Sequence, residues 1–452
     1  MDMNFRKTVV LALIALSAFG CAETTRQSPT GKGNIRGLNA SVSTPALQFM
    51  LEERTIGITN FKDVTVVRPF DDLEYIVNFD YRFAGTLVAA RLISVPFKLV
   101  RDMDYLFIFD GTLSAPTAMI WETPLRTWDG TETVIEVQFG HLSPQLGEID
   151  MYFAAPGTPP VLGEALATLT NGNHTAPIEL PAGDYEIILT ASGDPLAVLY
   201  NSEIVTYLPT VSYLITPFDT DPSLTTPISV RAILGAGSSV ELLDVNAQPT
   251  LQTFHAAFAT QNVDLYRDGD FSAPLIADVA FGEISAAVES VAAESTYTFT
   301  PADNAGATLL EEDFALADGR HNTTFLAGEV GSLETVTVVD DLRQLDDSAL
   351  LRFVQVSFNR ARADIYIVFD DVDILDIGAS FFGLPYLSTT GYAPFNENNY
   401  QVYATAVGTK DIIAGPIALS VAHGDIVQFA LVDTADPAIS ELIKYQHLSI
   451  DP

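Results

Sequence analysis

The sequence predicts an all-β protein, built as four tandem antiparallel β-sandwich domains behind an N-terminal segment of a different kind. Two observations lead to this prediction. Short stretches that alternate apolar and polar residues, such as IDMYFAA and QVYATAV, are typical of half-buried strands. Turn-forming clusters such as PAGD, RDGD and AHGD interrupt these stretches at intervals of roughly 8 to 12 residues. This rhythm favours antiparallel sandwiches over strands that are joined by helices.

Three landmarks recur along the chain and indicate the number of domains. In the first landmark, a polar residue is followed by a turn and by a strand whose polar residue lies nine positions later: Asn39 with Gln48, His141 with Asp150, His255 with Asp264, and Gln355 with Asp364. A tyrosine and then a late apolar strand follow in the same order; the tyrosines are Tyr75, Tyr185, Tyr297 and Tyr400. Landmarks that repeat in one order predict tandem copies of a unit of about 100 residues.

These landmarks set the expected limits of each part of the chain. A signal peptide (1–20) and a flexible tether (21–33) are followed by four repeats at 34–130, 131–248, 249–345 and 346–452. The first repeat is the most divergent. The length of each repeat and its strand rhythm fit an immunoglobulin-like or related sandwich. The stretch DDLRQLDDSALL near residues 340–351 is interpreted as a connector, because it is short and lies where one repeat ends.

The N-terminal segment has the pattern of an export signal. Arg6 and Lys7 precede a charge-free apolar run, and the only cysteine, Cys21, follows small residues. As a helix the run would span roughly 18 Å, which is too short for a bilayer core of about 30 Å. The segment resembles a bacterial lipoprotein signal, although Ala18 and Phe19 depart from the usual pattern. The resemblance implies lipid attachment at Cys21; the alternative is an ordinary cleaved signal with an incidental cysteine.

A lipid on Cys21 would make the membrane a partner of the chain. The expected location is therefore an exported, membrane-anchored lipoprotein at the outer membrane or cell surface. The resemblance favours this address because Ala22 stands where inner-membrane lipoproteins often carry aspartate.

The charge balance excludes some partners. The chain has 22 Lys and Arg against 58 Asp and Glu, a net charge of −36. Such a surface repels phosphate backbones, so we expect no nucleic-acid partner. With one cysteine the chain forms no internal disulfide and no thiolate zinc site. Its stability must therefore come from the burial of apolar surface.

The repeats resemble the bacterial domain-of-unknown-function family 4397. The second repeat carries VQFGHLSP, EIDMYF and LPAGDY, the third carries TFHAAF and NVDLYR, and the fourth carries RFVQVSF and ADIYIV. The first repeat departs from the pattern at Gln48 and Met50. The resemblance implies an exported β-sandwich, often in tandem, with no assigned chemistry. It brings no catalytic residues to this chain.

The repeated polar residues invite a catalytic or metal-binding interpretation, because an imidazole beside a carboxylate can serve as a base or a ligand. The other repeats argue against it, since Asn39 and Gln355 occupy the histidine position and an amide takes up no proton at neutral pH. A role in closing a turn fits all four residues. The tyrosines are expected in cores or at corners of the sandwiches. We therefore predict no catalytic, cofactor-binding or metal-binding residues.

Clusters of carboxylates are the remaining candidates for a metal site. They are RDGD at 267–270, VDDLRQLDD at 339–347, FDDVDILD at 369–376 and DTADP at 433–437. Calcium prefers six to eight oxygen ligands, but none of these segments has the EF-hand pattern. Solvated faces and turns are the favoured interpretation in so acidic a chain, with calcium binding as the alternative.

These observations favour a non-catalytic cell-envelope lipoprotein that acts as a surface scaffold or as an adhesion or interaction protein. One alternative is a module that binds a glycan or another envelope component, with Trp121 and Trp128 as residues that stack on a sugar or pack against the next repeat. A hydrolase is the least favoured alternative, because no nucleophile is paired with a base. No cofactor is expected.

Overall fold

The computed structural model describes residues 28–82 and 89–446, and these residues form an all-β protein. The predicted fold class is confirmed, because the strands assemble into sheets that pair as sandwiches. The single helix in the described ranges is a short 3₁₀ turn at Ile374–Asp376. No helix in these ranges is long and apolar enough to cross a membrane.

The first two domains contain eighteen of the strands. In the first domain they are β1 Lys32–Asn39, β2 Leu47–Leu51, β3 Arg54–Thr59, β4 Arg68–Asp71, β5 Glu74–Tyr81, β6 Ala90–Lys98, β7 Met103–Gly111 and β8 Pro116–Pro124. In the second domain they are β9 Val134–Phe139, β10 Ile149–Ala154, β11 Ala167–Leu169, β12 Ile178–Pro181, β13 Gly183–Ala191, β14 Asp194–Asn201, β15 Val205–Tyr207, β16 Ser212–Phe218, β17 Ser229–Leu234 and β18 Ser238–Leu242.

The last two domains follow the same succession. In the third domain the strands are β19 Thr250–His255, β20 Val263–Arg267, β21 Ile276–Val279, β22 Val288–Glu289, β23 Ser295–Pro301, β24 Leu310–Phe314, β25 His321–Glu329 and β26 Ser332–Val339. In the fourth they are β27 Ala349–Gln355, β28 Arg362–Phe369, β29 Phe381–Pro385, β30 Ser388–Thr389, β31 Ala393–Phe395, β32 Asn398–Ala406, β33 Ile412–Val421, β34 Ile426–Asp433 and β35 Ser440–Tyr445.

Each domain has two sheets, and equivalent strands follow the same order in all four domains. We call the sheet that holds the domain's first strand the inner sheet; its orders are β4-β1-β7-β8, β12-β9-β16-β17-β18, β22-β19-β25-β26 and β30-β27-β34-β35. The outer sheets have the orders β3-β2-β5-β6, β11-β10-β13-β14, β21-β20-β23-β24 and β29-β28-β32-β33. This arrangement differs from the immunoglobulin one, in which the first strand lies beside the second. The domains are therefore sandwiches of a related topology.

One parallel pair lies inside each otherwise antiparallel inner sheet. In the first domain, β1 runs parallel to β7, with Ile35 opposite Tyr105. The same pairing joins β9 with β16, β19 with β25 and β27 with β34. Parallel neighbours need a long connection. Here the whole outer sheet lies between the two strands along the chain, so it supplies that connection.

The late strand β7 is buried on both faces. Tyr105, Phe107 and Phe109 pack into the core between the two sheets of the first sandwich. Leu106 and Ile108 point the other way and belong to a second apolar cluster. Because side chains alternate across a strand, a strand that is apolar at every position has to be covered on both sides.

The second cluster joins the first domain to the second. It contains side chains from both inner sheets and their loops: Leu38, Ala40, Phe61, Leu106, Ile108, Trp121, Leu142, Leu214, Phe218 and Ile233. An equivalent cluster joins the third domain to the fourth: Phe254, Ala256, Phe325, Ala327, Val338, Val354, Val356, Ala430, Val432 and Tyr445. The chain thus forms two pairs of sandwiches whose inner sheets face each other.

A buried cation lies inside the first of these interfaces. Lys62 of the first domain places Nζ 2.8 Å from Asp221 and 3.0 Å from Glu241, both in the second domain. Its ammonium also donates to the Ser229 hydroxyl at 2.7 Å. Burial by itself raises the pKa of Asp221, but the charge and hydrogen bond of Lys62, together with the Ser223 N–H and the Arg343 charge, outweigh it and the net pKa is lowered. Removing one partner of such a group typically costs about 3–5 kcal/mol, so the network fixes the two domains against each other.

The connector between the third and fourth domains touches both domains of the first pair. The backbone N–H of Asp346 donates to the Ser43 carbonyl at 2.9 Å, and its carboxylate accepts from Leu113 N at 3.2 Å. Asp341 accepts a hydrogen bond from the Ser223 hydroxyl at 2.8 Å. The chain therefore folds back on itself, and the two pairs of sandwiches are in contact.

A single glycine tests the packing of the first interface. A Cβ at Gly140 would overlap the Trp121 indole, whereas a Cβ at Gly147 meets nothing within 4 Å. We expect Gly140→Ala to lower the free energy of unfolding by about 1–3 kcal/mol, the usual cost of overpacking. Gly147→Ala is the matched control and should change it little. Chemical denaturation measures both, and equal stability of the two variants would contradict the described contact.

Candidate functional site

His141, the leading sequence candidate for chemistry, closes a turn. It is fully buried after β9, where its Nδ1 accepts the N–H of Ser143 at 3.2 Å. Its Nε2 lies 3.0 Å from the Gly147 carbonyl. Because Nδ1 is an acceptor, the ring proton is on Nε2 and is donated to that carbonyl. Both ring nitrogens are therefore occupied by the local backbone.

The corresponding residues of the other repeats make the same two kinds of hydrogen bond. Gln355 accepts the N–H of Ser357 at 2.8 Å and donates to the Arg360 carbonyl at 2.6 Å. Asn39 and His255 likewise accept from the backbone two residues later and donate to a carbonyl further along. The predicted role in closing a turn is confirmed.

The aspartate nine positions later serves a different backbone segment. Asp150 accepts from the Thr168 hydroxyl at 2.6 Å and from the Gly193 N–H at 2.8 Å, which ties β10 to the strand and the hairpin beside it. In the fourth domain Asp364 accepts from two backbone N–H groups, those of Gly383 at 2.6 Å and Gly408 at 2.8 Å. Because His141 and Asp150 direct their polar atoms to separate turns, they are not arranged as an acid–base pair.

Two of the repeated tyrosines are corner residues. Tyr185 donates its hydroxyl to the Pro181 carbonyl, and Tyr400 donates to the Asn396 carbonyl, each at 2.9 Å and four residues back along the chain. This is the bond of a tyrosine corner, which fixes the entry of the chain into a strand. The other two tyrosines pack in or against the sandwich cores: Tyr75 and Tyr297. The prediction of core or corner roles is confirmed.

Trp121 is not available to a ligand. Only 5% of its surface is exposed, and its indole nitrogen donates to the Gly172 carbonyl of the second domain at 3.0 Å. The ring also lies 5.1 Å from the His174 ring. The interpretation of Trp121 as a sugar-stacking residue is wrong, and the alternative, packing against the next repeat, is right.

Trp128 has a different environment, at the edge of the same interface. It is half-buried, and the Arg126 guanidinium lies 4.0 Å from its ring centroid. Arg126 is held there by carboxylates, pairing with Glu132 and with Glu179 at 2.9 Å. The indole is therefore fixed in orientation while part of its surface remains accessible.

A cleft of about 400 Å³ opens between the first two domains beside Trp128. Strands β1, β7, β8 and β9, with the loops beside β16 and β17, form its walls, and its polar lining includes Asn34, Arg36, Asp104, Arg126, Glu136 and Gln138. Its volume lies within the range of about 300–1,000 Å³ that is typical of ligand sites. This inter-domain cleft is the candidate functional site.

Arg36 and Asp104 form a nearly buried ion pair in the cleft wall. They are 6% and 9% exposed, and Arg36 Nη2 lies 2.8 Å from Asp104 Oδ2. Arg36 also donates to the Leu234 carbonyl of the second domain at 3.0 Å. Burial raises the pKa of Asp104, and the Arg36 charge offsets only part of this rise. Two buried atoms of the pair have no partner: Arg36 Nε and Asp104 Oδ1.

Arg352 is the counterpart of Arg36 in the fourth domain, and the protein encloses it. Its guanidinium binds Asp340 and Gln428, and it lies 4.6 Å from the centroid of the Tyr392 ring. Arg352 is only 1% exposed. The same sequence position is thus part of a closed interface in one pair of domains and borders an open cleft in the other.

The acidic clusters serve turns and junctions. Asp270 accepts the Ser272 N–H at 3.0 Å, which closes its turn, while Asp433 is buried and accepts the Phe358 N–H at 2.7 Å. Asp340 is buried beside Arg352. Among the residues that the structure describes, no three His, Cys, Asp or Glu side chains are grouped to hold a metal ion. The expectation of turns is confirmed, but the expectation of solvated faces does not hold for these two buried carboxylates.

Cys21 lies outside the described residues, so lipid attachment there stays a prediction. The cleft residues Arg36 and Asp104 were not singled out from the sequence. The available signal was the continuous apolar run in β7, which indicates that the strand is covered on both faces but not which residues of the covering surface meet it.

The fold and the cleft define the class of this protein, a chain of paired β-sandwiches with a polar cleft between domains. Residues 249–366 match the family model described as "Domain of unknown function (DUF4397)", so the resemblance seen in the motifs is confirmed for that part of the chain. The match spans the third domain and extends into β28, whereas the motifs were most complete in the second repeat.

Comparisons with other proteins give little beyond this family. No curated protein matches the chain. One similar solved structure is CBMbc, of family CBM26, from Eubacterium rectale Amy13K in complex with maltoheptaose; it is 14% identical, with 46% of this chain and 98% of that chain covered and a TM-score of 0.18. Another is the Bacillus anthracis TIE protein, 9% identical, with 85% and 66% covered and a TM-score of 0.16. TM-scores this low carry no argument about fold or function.

The buried histidines give the stability a defined pH dependence. Burial lowers the pKa of His141 and of His255, and the backbone carbonyls that accept from their rings offset part of this effect. The unfolded chain therefore takes up these protons first, below a pH of about 6.5. The free energy of unfolding should decrease as the pH falls from about 6.5 to 5.

The double variant H141Q/H255Q should lose less stability over this pH range than the natural chain, because Gln355 shows that an amide makes the same bonds without titrating. Denaturant unfolding at several pH values measures the slope. His423→Gln, at an exposed histidine, is the control and should leave the slope unchanged. An equal slope in the double variant and the natural chain would show that these histidines are not the source.

Proposed function

We propose that this chain is a non-catalytic bacterial cell-envelope lipoprotein that acts as a surface scaffold or interaction protein. The observation that carries the proposal is the pairing of inner sheets, in which one apolar cluster joins the first domain to the second and another joins the third to the fourth. Buried ion pairs at both interfaces further fix the position of one domain relative to its neighbour. A chain built in this way presents its surfaces in fixed relative positions, as a scaffold requires.

The use of the repeated polar residues supports a non-catalytic role. An active site needs a nucleophile or base whose reactive atom is free to meet a substrate. In His141 and His255 both ring nitrogens are instead hydrogen-bonded to the backbone of their own turns. Asp150 and Asp364 are occupied by backbone donors in the same way.

The proposed address is the outer membrane or cell surface, with a lipid on Cys21 as the anchor. The tether predicted at 21–33 leads into β1, which already includes its last two residues, Lys32 and Gly33, so the anchor would join the first pair of domains directly. The partner of the scaffold would then be an envelope protein or a glycan within reach of that membrane.

Replacing the cysteine tests the anchor. Cys21→Ser should abolish incorporation of radiolabelled palmitate in a bacterial host and release the chain from the membrane fraction, because a hydroxyl does not replace the thiol in this modification. Ala22→Ser is the matched control and should remain labelled. A natural chain that carries no label, or a Cys21→Ser chain that keeps it, would favour an ordinary cleaved signal.

A second candidate function is the binding of a glycan in the cleft between the first two domains. The observation that favours it is the oriented, half-buried Trp128 ring beside a polar wall. An aromatic face that adjoins hydrogen-bonding groups suits a sugar, which has apolar C–H faces and polar edges.

Removing the ring tests this second candidate. Trp128→Ala should weaken the binding of a glycan found on an oligosaccharide array by about 2- to 13-fold, because aromatic contacts typically contribute about 0.5–1.5 kcal/mol. Trp128→Phe is the matched control and should retain part of the affinity. Isothermal titration calorimetry measures both variants, and unchanged affinity in Trp128→Ala would remove Trp128 from the site.

A further inference from the structure

We infer that the Arg36–Asp104 pair is the recognition element of the inter-domain cleft and that it selects an uncharged ligand bearing neighbouring hydroxyl groups, such as a neutral oligosaccharide. The inference rests on the glycan-binding role proposed above. It adds the residues that recognise the ligand and the chemical class of ligand that they bind.

The first support is the pair of unsatisfied polar atoms. Arg36 Nε carries a proton and Asp104 Oδ1 is an acceptor, and both are buried without a partner in the cleft wall. Buried polar groups in native proteins are almost always hydrogen-bonded, so an exception at a cleft is informative. A hydroxyl group both donates and accepts, and two neighbouring hydroxyls match one donor and one acceptor.

The second support is the charge balance of the cleft. Each arginine there is already neutralised, Arg36 by Asp104 and Arg126 by Glu132 and Glu179. No unpaired positive charge is left for a phosphate or a carboxylate, and the chain carries −36 overall. The cleft therefore suits a neutral molecule rather than an anion.

The third support is the rigidity of the opposite wall, which the second domain provides. Gln138 accepts from the Thr123 hydroxyl at 3.1 Å and donates to the Thr175 carbonyl at 3.1 Å. Glu136 accepts from the Ser212 hydroxyl at 3.1 Å. Polar groups held in place by their own hydrogen bonds bind a ligand with little loss of conformational entropy.

The fourth domain supplies a contrast within the same chain. Arg352 occupies the position of Arg36, but Asp340, Gln428 and Tyr392 surround its guanidinium. A purely structural arginine at this position is thus enclosed by the protein. Nε is unpaired in both arginines. Arg36 differs from Arg352 in that it borders a cleft of about 400 Å³ and in its carboxylate partner, because Asp104 Oδ1 is unpaired whereas both oxygens of Asp340 accept hydrogen bonds.

The test uses the intact chain with four defined probes: maltohexaose, cellohexaose and chitohexaose as neutral hexasaccharides, and hexagalacturonate as an acidic one. Calorimetry measures affinity, and quenching of Trp128 fluorescence reports binding in the cleft, since Trp121 is buried. We expect at least one neutral probe to bind and hexagalacturonate not to bind.

Two variants then test the ion pair itself. Asp104→Asn replaces the carboxylate, and Arg36→Lys keeps the positive charge but removes the Nε–H; each should weaken binding of the neutral probe about tenfold. Asp340→Asn, which disturbs the corresponding pair at the other interface, is the matched control and should leave the affinity within about twofold. Thermal melting of each variant verifies that it is folded, and Arg36→Lys keeps the test valid if Asp104→Asn unfolds.

The possible outcomes separate this inference from the role on which it rests. If Trp128→Ala abolishes binding while Asp104→Asn and Arg36→Lys do not change it, the glycan role stands and the assignment of the ion pair is overturned. If only hexagalacturonate binds, the ligand class is wrong. If none of the four probes binds, both the inference and the glycan-binding role are overturned.

Discussion

The burial of both faces of the central strands of each inner sheet is the constraint on which the rest of this structure depends. A sandwich of ordinary design exposes one face of each sheet, but β7 and β34 carry buried residues along nearly their whole length. One set of side chains fills the domain's own core and the alternate set fills the interface with the neighbouring domain. Because apolar surface of this extent is unstable in water, each inner sheet needs a partner, and the four domains associate as two pairs.

Pairing two sheets in this way forces polar groups into a dry interface, where each of them needs a partner. Lys62 meets Asp221, Glu241 and Ser229 across the first interface, and Arg352 meets Asp340 and Gln428 in the second. Such groups contribute little net stability compared with apolar replacements, but they penalise any other register of the two sheets. The pair formed by Arg36 and Asp104 differs in its acceptor, since Asp104 Oδ1 is unpaired beside a cleft whereas both oxygens of Asp340 accept hydrogen bonds.

The repeats show how one structural task is met by different side chains. Histidine, asparagine and glutamine all close the same turn, because the task needs one acceptor and one donor at the right distance and no change of protonation. The positions that maintain the sandwich are therefore free to vary among these residues. Variation at the interface has larger consequences, because exchanging the residues around an arginine decides whether the interface closes, as at Arg352, or leaves a cleft, as at Arg36.

Much of the secondary structure of this protein follows from residues that are close together in the sequence. Alternation predicted the strands, turn clusters predicted where they end, and comparison of His141 with Asn39 and Gln355 predicted that these side chains close turns. These features depend on residues a few positions apart, so the sequence contains them directly. The pairing of inner sheets, the parallel strands inside them and the cleft were decided by the tertiary structure. A continuous apolar strand reports that both of its faces are buried but not what covers them, and Arg36, Asp104 and Trp128 meet only after β1, β7 and β8 have assembled against a second domain.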